Sequence, residues 1–476
     1  LAMFKWIFIL NVHLRVSMNA ETIRQQFQQG QIDACDIAAL FAQQQLTPLA
    51  FTECCIAAAQ QSQGIFISLT AERARQEAAA ATARWQQGAP LSALDGIPVA
   101  WKDLFDIADT RTTAGSATRN QVPPARADAA LVTTLSQAGM VTLGKTNLSE
   151  FAFSGLGINA AFGTPLILSE SGSQHVPGGS SSGSACAVAQ GLACFALGTD
   201  TAGSVRIPAA FSGIIGYRAS RKRYDDSGVF PLAASLDTLG PLCRSVRDLR
   251  ALDEILCGEA HIQDATPYFI ADTALFDQAS AEVREHSYRA LDRLEASGYR
   301  VERRTLHSFH AALSWIAQQG WPGAVEAFQL HAALLSSPDA EKMDPFIRIR
   351  LTASGQLSPA LLDDFLQQRA AWQKAVTDEL AGAVLITPTV AHTAPLFLPL
   401  HDAAAFANTN SATLRLTMPG SLLDMPGIAL PSGQTDDGLF TSLLFSLPAG
   451  EDGRLLMAAR HAAATDFFQH TPKGND

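Results

Sequence analysis

The chain has 476 residues, 47% hydrophobic and 17% charged, enough to bury a large core. Its net charge of −11 and lack of any block of five like charges exclude a nucleic-acid groove and disfavour docking on anionic lipid. Seven cysteines without a C-x-x-C pair exclude a zinc or redox site of that spacing and fit free thiols in a reducing compartment, the cytoplasm.

In chain order, Lys5 and the apolar residues 6–10 resemble the start of a signal peptide, but the run is too short to span a bilayer and no cleavage site follows. Residues 1–17 are therefore expected to be an upstream leader, with the folded part starting at Met18. Residues 20–88 read mainly as helices, among them Ala71–Gln87 with Thr70 as N-cap and Gly88 as stop. Asp95-Gly96 marks a turn, and residues 97–101 form a short apolar strand that delivers Lys102 at its end. A helix over 129–138 follows, with strands at 140–143, 193–197 and 213–217. A helix at 277–297, a strand at 299–301, a helical insert over 308–380 and a strand at 384–388 complete the pattern. Alternating strands and helices predict an α/β fold, and the chain lacks both an internal repeat and a linker rich enough to divide it.

Two stretches carry chemistry. From Ser169 to Ser184, 11 of 16 residues are Ser or Gly, including Gly178-Gly179-Ser180, and the run enters a small apolar segment unlike the end of a flexible tether. The second, Gly198 to Pro208, contains Asp200-Thr201-Ala202-Gly203-Ser204 and Arg206, small residues that let backbone N–H groups approach an oxyanion. A serine nucleophile needs a base, yet His175 is the only histidine between residues 14 and 260. Lysine is the other known choice, and Lys102-Asp103 is the candidate.

These residues resemble the amidase signature family, whose members carry a Ser–cis-Ser–Lys triad. The match runs through Lys102-Asp103, Lys145-Thr146-Asn147 to Glu150-Phe151, Gly178-Gly179-Ser180, Asp200 to Pro208, and Ser235 to Pro241. It is dense over about 90–250 and thinner from 20 to 470, including Pro426 to Pro431 and Glu451 to Leu456. The resemblance implies one large domain over 18–476, with a twisted mixed sheet between layers of helices. It implies Ser204 as acyl-forming nucleophile, Ser180 as proton relay behind a cis peptide, and neutral Lys102 as base. Backbone N–H groups around Thr201, Ala202 and Gly203 would form the oxyanion hole, with Asp200 and Arg206 bracing the loop. Neither metal nor cofactor is implied.

The expected activity is hydrolysis of a small polar amide, with no nucleic-acid or membrane partner and homodimer formation left open. The alternative is the glutamine-hydrolysing component of a tRNA-dependent amidotransferase, its A chain. Departures from the family pattern are Ala202 for a glycine, Ser182 for a glycine, and Tyr217-Arg218-Ala219-Ser220 for Leu-Lys-Pro-Thr. Gly139 to Thr146 also satisfies the P-loop pattern, a distant nucleotide-binding alternative, although helix-like residues precede it. Gly155 to Ala160 fits GxGxxA weakly, and His307 and His310 read as solvent-facing.

Overall fold

The computed structural model describes residues 19–258 and 265–465; the expected leader at 1–17 lies outside them. Its strands are β1 (Phe66–Leu69), β2 (Pro98–Lys102), β3 (Val141–Thr146), β4 (Ile167–Leu168), β5 (Gln174–His175), β6 (Phe195–Asp200) and β7 (Ile215–Arg218). They continue with β8 (Thr238–Cys243), β9 (Phe269–Ala271), β10 (Val301–Arg303), β11 (Val384–Pro388), β12 (Gly427–Gln434) and β13 (Phe440–Ser446). Eleven of these join one sheet in the order β1-β3-β2-β6-β8-β7-β12-β13-β11-β9-β10, while β4 and β5 pair separately. The sheet is mixed: β3-β2-β6 and β11-β9-β10 run parallel, and the pairs between and outside them are antiparallel. One sheet crossing the whole chain is why no linker breaks the sequence.

Period-two alternation sends successive residues of a strand to opposite faces. In β11, Val384 and Ile386 enter one hydrophobic cluster and Leu385 the other. Because both faces are covered, strands such as β2 and β6 are buried at every position and read as continuous apolar runs. The first cluster gathers residues of the N-terminal helices; the second gathers the insert helices His307–Gln319, Pro322–Leu335, Pro345–Ser354 and Ala360–Leu380.

Several expectations shift locally. The helix Ala71–Gln87 ends at left-handed Gly88, but Thr70 does not cap it; its hydroxyl donates to the Thr142 carbonyl at 2.8 Å, tying the helix to β3. A strand, β1, interrupts the region read mainly as helices. The helix expected over 277–297 begins only at Ala281, after a separate short helix Thr273–Asp277, because Ser280 caps it through the Val283 N–H. His310 faces Asp272 at 3.0 Å rather than solvent alone.

Candidate active site

Parallel β2 and β6 lie side by side, and their carboxyl ends open where ligands bind in sheets of this kind. The last residue of β2 is Lys102, 0% exposed. Its Nζ lies 2.7 Å from Ser180 Oγ, 2.8 Å from Thr199 Oγ1 and 3.4 Å from the Thr199 carbonyl. A neutral amine has two N–H donors and one lone pair. Those three neighbours match it: two acceptors on Thr199 and one hydroxyl that can donate. Burial brings the lysine down from 10.5 to about 7, against the opposing charges of Asp200 and Asp237.

Ser180 is placed by glycines. Gly178 has φ +76°, and a Cβ on Gly179 would lie 2.5 Å from the Gly157 nitrogen. The Gly179–Ser180 peptide is cis. Gly179 N–H donates to the Gly155 carbonyl at 2.7 Å and Ser149 N–H to the Ser180 carbonyl at 3.2 Å. The GxGxxA match is thus the bed of this loop. The helix Ser182–Ala189 then carries the small residues into the core, with Ser182 itself fully buried where the family more often has glycine.

Ser204 sits in the turn after β6. Ser181 N–H donates to the Ser204 carbonyl at 3.1 Å, joining the two serine loops through the main chain. Asp200 organises the turn: its carboxylate accepts from Gly203 N–H at 2.8 Å, Val205 N–H at 3.1 Å, and Arg206 Nε and Nη2 at 3.0 and 2.9 Å. Arg218 adds an ion pair at 3.3 Å and a bond to the Asp200 carbonyl. Burial alone would raise this carboxyl, but the two guanidiniums hold it well below the usual range. The turn is anchored further by Thr417 Oγ1 on the Ala202 carbonyl at 2.5 Å and Thr201 Oγ1 on Asp237 at 2.5 Å. Ala202 has no left-handed backbone, so its Cβ fits where glycine is more usual. Gly203 does need its freedom: φ is +135°, and a Cβ would meet the Thr417 hydroxyl. Its amide is committed to Asp200, whereas no hydrogen bond among the described residues takes the amides of Ala202 or Ser204.

Ser204, 4% exposed, lines a cavity of about 910 Å³ with Thr201 and Ala202. The helical insert lines it with Leu313 and Ile316 on a helix and Trp321 and Leu357 in the connections, so the walls are more apolar than the Ser/Gly-rich loops suggest. Among the described residues, the one cluster with metal-ligand types is Asp33, Cys35 and Asp248. It is a helix cap: Asp248 accepts the Ala34 and Cys35 N–H groups, and Asp33 pairs with Arg247.

The P-loop alternative fails on geometry. Val141–Thr146 is a buried strand, not a loop wrapping phosphate, and Lys145 is consumed by Asp103 at 2.6 Å. His175 Nδ1 lies 2.7 Å from the Ala394 carbonyl. Sequence reasoning missed Thr199, which adjoins Asp200 and so had a weak signal. It also missed Thr417 and Ser421, which reach the loop from more than 200 residues away and had none. Arg218, a departure from the family pattern, keeps a cation on the Asp200 loop.

The amidase family model matches residues 50–456. The chain is 32% identical over 403 residues to 2-amino-5-chloromuconic acid deaminase of Comamonas testosteroni, covering 81% of this chain and 84% of the relative. It is 29% identical to the A component of the glutamyl-tRNA(Gln) amidotransferase of Pseudomonas entomophila, over 86% of this chain and 92% of that one. A solved amidase superimposes with TM-score 0.79 at 31% identity, covering 90% of this chain and 99% of the other. The chain belongs to the amidase family, the amidase-signature enzymes that hydrolyse C–N amide bonds.

Proposed function

We propose that Ser204 attacks the amide carbon while Ser180 relays its proton to neutral Lys102. The Ser180 hydroxyl gives its proton to Nζ as the Ser204 hydroxyl gives its own to Ser180, and Ser204 Oγ forms the C–O bond. The carbonyl oxygen becomes an oxyanion facing the turn 201–204, where Ala202 and Ser204 offer amides and that of Gly203 braces the turn through Asp200. The proton then returns through Ser180 to the leaving amine, the C–N bond breaks, and water cleaves the acyl-enzyme by the same relay. Asp200 and Arg206 hold the turn without touching substrate. The observation that carries this reading is a buried lysine, about 7, at 2.7 Å from Ser180.

The test is a fluorophosphonate adduct mapped by mass spectrometry. It should sit on Ser204 and vanish in Ser204→Ala, which should keep its fold and lose turnover. Inactivation with the adduct on another residue would overturn the assignment.

The substrate is a small-molecule amide rather than a macromolecule, a size that a cavity of about 910 Å³ accommodates. No helix of the described residues is long and apolar enough to cross a membrane. Seven free cysteines support the reducing cytoplasm as its place. The second reading, glutamine hydrolysis as the A component of an amidotransferase, draws on the similarity reported above. It predicts that the isolated chain needs partner chains, so turnover of simple amides by the chain alone separates the two.

A further inference from the structure

Two guanidiniums line the Ser204 cavity, Arg350 on the helix Pro345–Ser354 and Arg415 at the end of Ala403–Leu414. Each makes a single hydrogen bond to protein among the described residues. Arg350 donates to the Phe153 carbonyl and lies 4.7 Å over the Phe153 ring; Arg415 donates to Gln278 Oε1 at 3.0 Å. Neither faces a carboxylate, and burial, with no acid to oppose it, lowers both, Arg350 to about 10. Their neighbours differ: Arg348 on the same helix pairs with Glu341 at 2.6 Å, and Arg369 lies 3.6 Å from Asp424. Among the described residues, no Asp, Glu, Lys or His lines the cavity. None of the described acidic residues pairs with either cavity cation.

A guanidinium has five N–H donors, and one is used here in each case. Half-buried without a counter-ion, such a group is held at a cost that a bound anion lessens. Two of them in one cavity attract one sign of charge only. We propose that the amide cleaved at Ser204 carries a carboxylate on an apolar body, and that Arg350 and Arg415 hold that carboxylate. The substrate class is the half-amide of a dicarboxylic acid without a free ammonium group. Leu313, Ile316, Trp321 and Leu357 receive the alkyl or aryl body. Glutamine fits poorly, because its α-ammonium would meet two cations and no acid. The proposal rests on the Ser204 reading above and names the substrate of that site; hydrolysis adds water across the C–N bond and yields the dicarboxylate and ammonia.

The test compares the half-amide of adipic acid with hexanamide, a neutral amide of equal chain length, and with glutamine. For the wild-type enzyme, kcat/KM should be at least about tenfold higher for the half-amide than for either, the range of charge-assisted hydrogen bonds. Arg350→Gln and Arg415→Gln should each lower the half-amide to hexanamide ratio by about tenfold, through KM more than kcat. Arg350→Lys should retain part of it. A measurement without variants is inhibition of the wild-type enzyme: adipate should compete with the half-amide and 1,6-hexanediol should not. Equal turnover of half-amide and hexanamide, or a loss that strikes both alike in Arg350→Gln, overturns the proposal while leaving Ser204 as nucleophile. Failure of the Ser204 reading is recognised separately, by a fluorophosphonate adduct elsewhere. Should that happen, adipate bound by the folded chain with equal affinity before and after Arg350→Gln still refutes the anion site.

Discussion

The base at Lys102 can be tested through its proton. A fall from 10.5 to about 7 is worth roughly 5 kcal/mol of preference for the neutral amine. At pH 7 about half of the lysine is then neutral, against fewer than about one in a thousand at its ordinary value. Because the neutral amine must accept the Ser180 proton, kcat/KM should climb with slope one from acid and level above about pH 8. Between pH 8 and pH 5 the expected fall is about 90-fold, read as ammonia release from a primary amide in a constant-ionic-strength buffer series. Lys102→Ala should remove that limb and lower kcat by about 10²–10⁴. Asp237→Asn gives a sharper check, since the Asp237 charge helps to hold the lysine up; removing it should move the limb toward acid. A limb centred above pH 9, or one that survives in Lys102→Ala, would refute the base and with it the matching of Nζ to Ser180 and Thr199.

Three further outcomes follow from buried charges. Arg206→Ala removes two of the bonds that hold Asp200, so it should cost about 3–5 kcal/mol by urea unfolding and slow labelling of Ser204; unchanged labelling would show that the turn does not depend on this pair. Lys145→Met should be destabilising by a similar ~3–5 kcal/mol, and the double variant with Asp103→Asn less so, because no uncompensated charge remains. Burial raises Glu150 from 4.5 to about 7, so the native state keeps a proton that the unfolded state loses. Its contribution is fully present below about pH 4.5 and is lost as pH rises through about 7; Glu150→Gln should flatten that part of the stability–pH curve, and an unaltered slope would contradict the assignment.

What was legible in the sequence follows from how local each feature is. β2 with Lys102 at its end, the helix 71–87 and the strand 384–388 show in short apolar runs and their flanking residues, which act within a few positions. β1 escapes such reading because a four-residue strand that is only partly buried carries little signal within a helical region. The split at Ser280 escapes it because a continuous helical pattern hides a cap. The two serine loops are visible as composition, but only the resemblance pairs them; Ser181 N–H on the Ser204 carbonyl is a contact between segments that spacing alone cannot place. Thr417 and Ser421 lie beyond such reading, since a threonine before a short helix and a serine within it look like any others until the fold brings them to Ala202 and Arg206.

The same division separates reaction from substrate. In the proposed reaction the groups that handle protons come from β2, the Ser180 loop and the turn after β6, all within residues 102–206, where bonds from Asp200 and the glycines leave few alternatives. The groups that face the rest of the substrate come from the helical insert and the segment 410–418, which contribute apolar side chains and two arginines to the cavity. Swapping Leu313 or Trp321 for another apolar residue would keep an amphipathic helix intact, so the helix pattern constrains them weakly. An arginine without an acid is different: it leaves donors and a charge that a bound anion would complete. Arg350 and Arg415 are therefore the positions where a change of substrate charge should be written, and exchanging both for neutral residues should turn preference from half-amides toward neutral amides while Lys102, Ser180 and Ser204 stay as they are.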